Sequence, residues 1–159
     1  MRYNNGRGNI KLLLMIIIIA IFAAMGTYFV RLKINQTHIE TIKTNMLLVQ
    51  WKAKNYINTK KAEQKEVEYV GTKVADMLDN DLLANVLKNN VITEQDFNNY
   101  YVLKDEDLAK LEIDITNEKD SYYIVNYDSL EIIITQGCEI SKDKILYKLS
   151  DISDENLNK

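Results

Sequence analysis

The chain has 159 residues, enough for one modest folded domain, and its single cysteine (Cys138) and single histidine (His38) exclude an intramolecular disulfide and the usual zinc constellations. From Leu32 onward 16 Lys and Arg face 23 Asp and Glu, a balance of −7 that repels nucleic-acid phosphates, so no nucleic-acid partner is expected. With no proline, five glycines and 47% apolar residues, the composition is that of an ordered, helix-rich chain.

Residues 1–11 read as a short leader-like segment carrying Arg2, Arg7 and Lys11 and no acid. Leu12 to Val30 is a run of 19 residues without a charge. At helical rise it extends roughly 28 Å, close to the hydrocarbon thickness of a bilayer. Lys11 on one side and Arg31 and Lys33 on the other suit cations that reach the two interfaces. The segment therefore predicts a transmembrane helix over 12–30. Charge bias does not orient it; the short acid-free N-terminus and long C-terminal part favour a cytoplasmic N-terminus and an extracytoplasmic domain. A second reading is a signal peptide cut after Ala24-Met25-Gly26, with a mature start at Thr27; the apolar run continues past that point through Tyr28, Phe29 and Val30.

Behind the span, Ile39, Ile42, Met46, Val49, Ala53 and Tyr56 follow steps of three and four, which puts them on one face of a helix. No Pro or Gly lies between Thr27 and Thr59, so this amphipathic extension over 31–60 is expected to continue the span, with Leu47, Leu48 and Trp51 widening the apolar face. Too few heptads repeat for a coiled coil, and the face is expected to cover the core of a small domain over 61–152, followed by a flexible tail over 153–159.

Within that domain Val70, Val74 and Leu78 suggest a second helical region, and Asp79, Asn80 and Asp81 supply N-cap residues for a short helix over 81–89. Asp79 and Asp81 lack the further oxygen ligands of a calcium loop. Thr93 and Asp96 suggest a capped turn, Tyr100 to Leu103 a strand, and Asp105, Glu106 and Asp107 the N-terminus of a helix with Leu108 and Leu111 inward. Tyr122 to Tyr127 and Glu131 to Thr135 flank the Asp128-Ser129 turn as a β-hairpin, ended by Gly137. A third strand at Ile145–Leu149 completes a small antiparallel meander with one apolar face.

A leader ending in Gly8, an apolar span running into a long amphipathic helix, and a distal antiparallel sheet together resemble the type IV pilin and type II secretion pseudopilin family. Within it, IETIKTNMLLVQWKAK, YYVLKDEDLAKL and SYYIVNYDSLEIIIT are similar to a pilin-like subgroup of Gram-positive anaerobic bacteria. The resemblance implies an α+β, pilin-like fold: a long N-terminal helix, transmembrane in its first half and amphipathic in its second, packed on short helices and a small sheet. It also implies prepilin peptidase cleavage between Gly8 and Asn9, an anchoring and assembly helix carrying Leu13, Ile17, Ala20 and Ala24, and a bilayer, like subunits and pilus or secretion assembly proteins as partners. Leu13 stands where the family places a glutamate.

No GxSxG, GxxxxGK[ST] or HExxH motif occurs, and neither enzymatic activity nor a cofactor is expected. His38 reads as an interfacial surface residue and Cys138 as a small buried hydrophobe. The sequon Asn35-Gln36-Thr37 carries little weight. Tyr122, Tyr123 and Tyr127 read as cross-strand pairs. The functional expectation is a structural or interaction protein, either a membrane-anchored pilin-like subunit or a single-pass envelope binding module that does not assemble.

Overall fold

The computed structural model describes residues 5–78, 80–115 and 121–154, and along the first helix it describes side chains at 15–22, at 24 and from 36 onward. The chain divides into two compact units, Met1–His38 and Ile39–Lys159.

Helix α1 covers Asn5–Ala62. Its end follows from local chemistry. Lys60 and Lys61 sit in the last turn, where their charge suits the negative end of the helix dipole. Gln64 then adopts φ 54° and the amides of Gln64 and Lys65 donate back to the carbonyls of Lys61 (3.1 Å) and Lys60 (3.2 Å). That pair of bonds closes a Schellman cap with a left-handed residue other than glycine.

The second unit is built on a five-stranded antiparallel meander in sequence order: β1 (Thr72–Lys73), β2 (Tyr100–Leu103), β3 (Tyr123–Asn126), β4 (Ile132–Ser141) and β5 (Lys144–Lys148). Register runs Val102↔Ile124 between β2 and β3 and Ile124↔Ile133 between β3 and β4. Alternation then sorts the side chains to two faces. Leu103, Tyr123, Val125, Ile132 and Ile134 join a core with Ile39, Ile42, Met46, Val49, Ala53 and Ile57 of α1, with Leu108 of α3 (Asp105–Lys110) and with Leu149 and Ile152 of α4 (Leu149–Asp154). Tyr100, Val102, Ile124 and Ile133 form a second core with Val74 and Met77 of a 3₁₀ turn, Leu83 of another, Val86 of α2 (Ala84–Lys88) and Ile92. At roughly 1.5–3 kcal/mol for each large apolar side chain fully buried, both faces contribute heavily to stability.

The expected fold is corrected on two points. Among the described residues no helix is long and apolar enough to cross a membrane. Within the presumed span the side chains described are those of 15–22 and 24, and the anticipated membrane-crossing half of the helix is not found among the described residues. The sheet, expected to have three strands and one apolar face, has five strands and is covered on both sides. The cause lies in β3: all four residues of Tyr-Ile-Val-Asn are buried, as in a central strand flanked by two layers.

Three local expectations also change. The region of Val70, Val74 and Leu78 is no continuous helix: Val70 sits in a bend, β1 intervenes, and a 3₁₀ turn covers Val74–Met77, with Leu78 left 41% exposed. The short helix over 81–89 begins as a 3₁₀ turn (Asp81–Leu83) capped by Asn80, whose Oδ1 accepts from the amide of Leu82 at 3.0 Å; Asp79 lies outside the described residues. Gly137 does not end its strand. It sits at φ 74° inside β4, where register slips between Ile133↔Lys148 and Cys138↔Leu146, and it lets the strand bulge and continue to Ser141.

Candidate interaction surfaces

In the first unit the described side chains of α1 at 15–22 present apolar surface all round. Met15, Ile16, Ile17, Ile18, Ile19, Ile21 and Phe22 are each between 46% and 70% exposed, and Ala20 and Ala24 are exposed as well. Eight consecutive residues at about 100° each sweep more than two turns, so no polar face exists along this stretch. A helix apolar on every side has its stable environment in a protein interior or in lipid. Of the positions tied to the family resemblance, Ile17, Ala20 and Ala24 fall here. Gly8, Asn9 and Leu13 lie in the helical backbone of α1, with side chains outside the described residues.

In the second unit α1 has two faces of opposite character. Ile39, Ile42, Met46, Val49 and Ala53 are buried at 6% exposure or less, Ile57 joins them, and Tyr56 packs half-buried beside them. Ile57 extends the same spacing by one step and is visible in the sequence on that ground. Leu47 and Trp51, expected to widen this face, do not: they are 44% and 56% exposed. At about 100° per residue Trp51 points nearly opposite to the Val49–Ala53 stripe. Gln50 fixes the helix to the sheet instead, its Nε2 donating to the Leu130 carbonyl at 2.8 Å in the turn between β3 and β4.

Two clefts open beside the end of α1. One, of about 360 Å³, is lined by Trp51, Lys52, Tyr56, Lys60, Glu63 and Glu112 among others. Its charges are largely spent internally: Lys52 Nζ pairs with Glu112 at 3.2 Å and stands 5.7 Å from the Trp51 ring centre, and Lys60 stands 5.3 Å from that of Tyr56. The other, of about 460 Å³, is lined by Tyr56, Glu68, Tyr69, Lys104, Glu106 and Lys110 among others. Here Asp107 accepts from the Lys104 amide (3.1 Å) as part of the cap of α3 and from Lys110 Nζ (3.0 Å), and that carboxylate raises the Lys110 pKa. Tyr127 packs behind Tyr69 of this lining. Its ring stacks on Tyr69 at 4.8 Å, meets Tyr101 edge-on at 5.5 Å, and its hydroxyl donates to the Val70 carbonyl at 2.8 Å. Tyr127 thus belongs to a tyrosine cluster formed across loop and strand, and not to a cross-strand pair.

Cys138 is fully buried, and burial pushes its thiol up to about 11 from an ordinary 9.0, which keeps it protonated and unreactive near neutrality. His38 is exposed at the boundary of the first unit. Among the described residues no group of three or more His, Cys, Asp or Glu is arranged to hold a metal ion. In comparisons with known proteins, no family model, no curated protein and no solved structure matches the chain.

Proposed function

We propose that this chain is a membrane-anchored subunit of a cell-envelope filament or secretion pseudopilus. In this reading the uncharged stretch 12–30 is held in lipid or against like subunits, and the domain beyond it is displayed outside the cytoplasm. The observation that carries it is the run 15–22, where seven large apolar side chains are each at least 46% exposed around the whole helix. Such a surface in water forfeits roughly 25 cal/mol for each Å² of apolar area, and a bilayer or a bundle of identical helices recovers it. Further support comes from the sequence: Lys11, Arg31 and Lys33 bracket the uncharged stretch 12–30, and the order of apolar segment, amphipathic helix and distal sheet resembles that of pilins.

A second reading, an anchored binding module that never assembles, is favoured by Leu13. The family glutamate at that position is thought to neutralise a neighbour's terminal amine, and leucine has no charge with which to do so. Sequencing the mature N-terminus from the membrane fraction separates the readings. A start at Asn9 supports the filament subunit, a start at Met1 supports the permanent anchor, and a start at Thr27 with recovery from the medium contradicts both.

A further inference from the structure

The cleft of about 360 Å³ beside the end of α1 is lined by two rows of that helix and by the residues that follow α3. Trp51, Asn55 and Thr59 succeed one another at four-residue steps, so they form a ridge about 12 Å long at 1.5 Å per residue. Tyr56 lies in the row beside it, and Leu111 and Glu112 line the cleft from the end of α3. Glu112 stands at φ 56°, and from that left-handed turn its carboxylate reaches Lys52 at 3.2 Å. The other charges of the cleft are also engaged. Glu63 pairs with Lys65 at 2.8 Å, Lys110 with Asp107 at 3.0 Å, and Lys60 stands over the Tyr56 ring. The neutral groups are not. Among the described residues no hydrogen bond engages the side chains of Trp51, Asn55 or Thr59, and Trp51 remains 56% exposed.

We propose that this cleft binds a neutral oligosaccharide, with Trp51 as the platform on which one sugar ring lies. The state of the charges selects the ligand class: an ion entering here would compete with partners already in place, whereas a neutral polar ligand needs only the groups left unused. A sugar ring suits those groups. Its C–H face is apolar and covers an aromatic ring, and its hydroxyls both donate and accept, as do the Asn55 amide and the Thr59 hydroxyl. A ridge of three side chains in line suits a chain of two or three sugar units, and the volume falls within the roughly 300–1,000 Å³ of small-ligand clefts. The fold does not account for Trp51, which belongs to neither core and leaves a large apolar area in water. The site goes beyond the subunit reading and does not depend on the apolar run.

The test uses the full chain in micelles of a detergent without a sugar headgroup. Trp51 is the only tryptophan of the chain, so its emission reports the cleft directly. Chitotriose, cellotriose and maltotriose are titrated to their solubility limits, with dextran sulfate alongside as an anionic probe, and binding heats are read by isothermal titration calorimetry. The expected result is a saturable change in Trp51 emission and a matching heat with at least one of the neutral trisaccharides, and neither with dextran sulfate. Trp51→Ala and Asn55→Ala should each weaken the calorimetric binding roughly tenfold or more while keeping the urea midpoint, and Leu78→Ala, exposed elsewhere on the domain, should leave binding unchanged. Silence of all the trisaccharides overturns the site, and so does binding that survives both substitutions at full strength. Dextran sulfate matching or exceeding the trisaccharides makes the cleft an anion site and overturns the proposal. An emission change that follows protein concentration and not saccharide does the same, since a second copy then covers Trp51.

Discussion

At Gly137 the backbone runs at φ 74°, and a Cβ there would collide with Ile145 Cγ2 and approach Tyr147 Cε1 to 2.9 Å. Both penalties act together, since the conformation disfavours any L side chain and the space is filled by β5. Gly137→Ala is expected to cost about 2–3 kcal/mol, read as a lower urea midpoint with unchanged slope. Two buried acids contribute to the pH dependence of the domain on the alkaline side. Cys138 is raised to about 11 and Tyr127 above its ordinary 10.0, in both cases chiefly by burial. Because the folded values exceed the unfolded ones, their contribution is fully present below about pH 9 and is lost as pH rises through 11 and beyond, where the unfolded chain releases protons more readily. Unfolding midpoints measured from pH 7 to 11 should fall in the wild type and fall less steeply in Cys138→Ala. A midpoint curve identical in the two chains contradicts the assignment. Neither residue's environment was legible from sequence: the Gly137 bulge needs β5 beside it, and Tyr127 finds Tyr69 from 58 positions away.

At the scale of elements, the sheet is the middle of three layers, and this makes an unequal prediction for neighbouring residues. Met46 and Ile133 are both fully buried, one on the inner side of α1 and one on the far face of the sheet. Met46→Ala and Ile133→Ala should each cost roughly 2–5 kcal/mol, whereas Trp51→Ala, on the outer side of the same helix, should change stability by no more than about 0.5 kcal/mol. Denaturant titrations of the three variants check this. A small loss at Ile133 would mean that the second face is not sealed. The spacing of Ile39, Ile42, Met46, Val49 and Ala53 is readable in the sequence, because a helix repeats every 3.6 residues and these fall in phase. The second layer was not readable for a related reason. Strict alternation marks a strand with one wet face, and Tyr123-Ile124-Val125 has apolar residues on both sides, so the sheet demanded a second cover that residues 74–97 provide through short 3₁₀ turns with no periodicity to announce them. Strand β1, two residues long, carries no pattern at all. The outward turn of Leu47 and Trp51 was legible in principle from the same helical phase.

For the whole molecule, the sequence divides into an apolar stretch, a basic helical segment and an acidic domain, and the proposed function assigns the first a contact with lipid or with like helices. Charge segregation of this kind is screened by salt, with a Debye length of about 10 Å at 0.1 M and 3 Å at 1 M. Retention by an apolar stretch is not screened in this way, so membrane pelleting of the full chain should be unchanged between those ionic strengths. The proposed anchor was legible only as composition, since the charge-free length of 12–30 suits lipid without stating what the segment does there. Alkaline carbonate extraction of membranes from cells making the full chain tests the anchor most directly. The account predicts that the chain stays in the membrane pellet and that deletion of 12–30 moves it to the supernatant; recovery of the intact chain, starting at Met1, in the supernatant would contradict it.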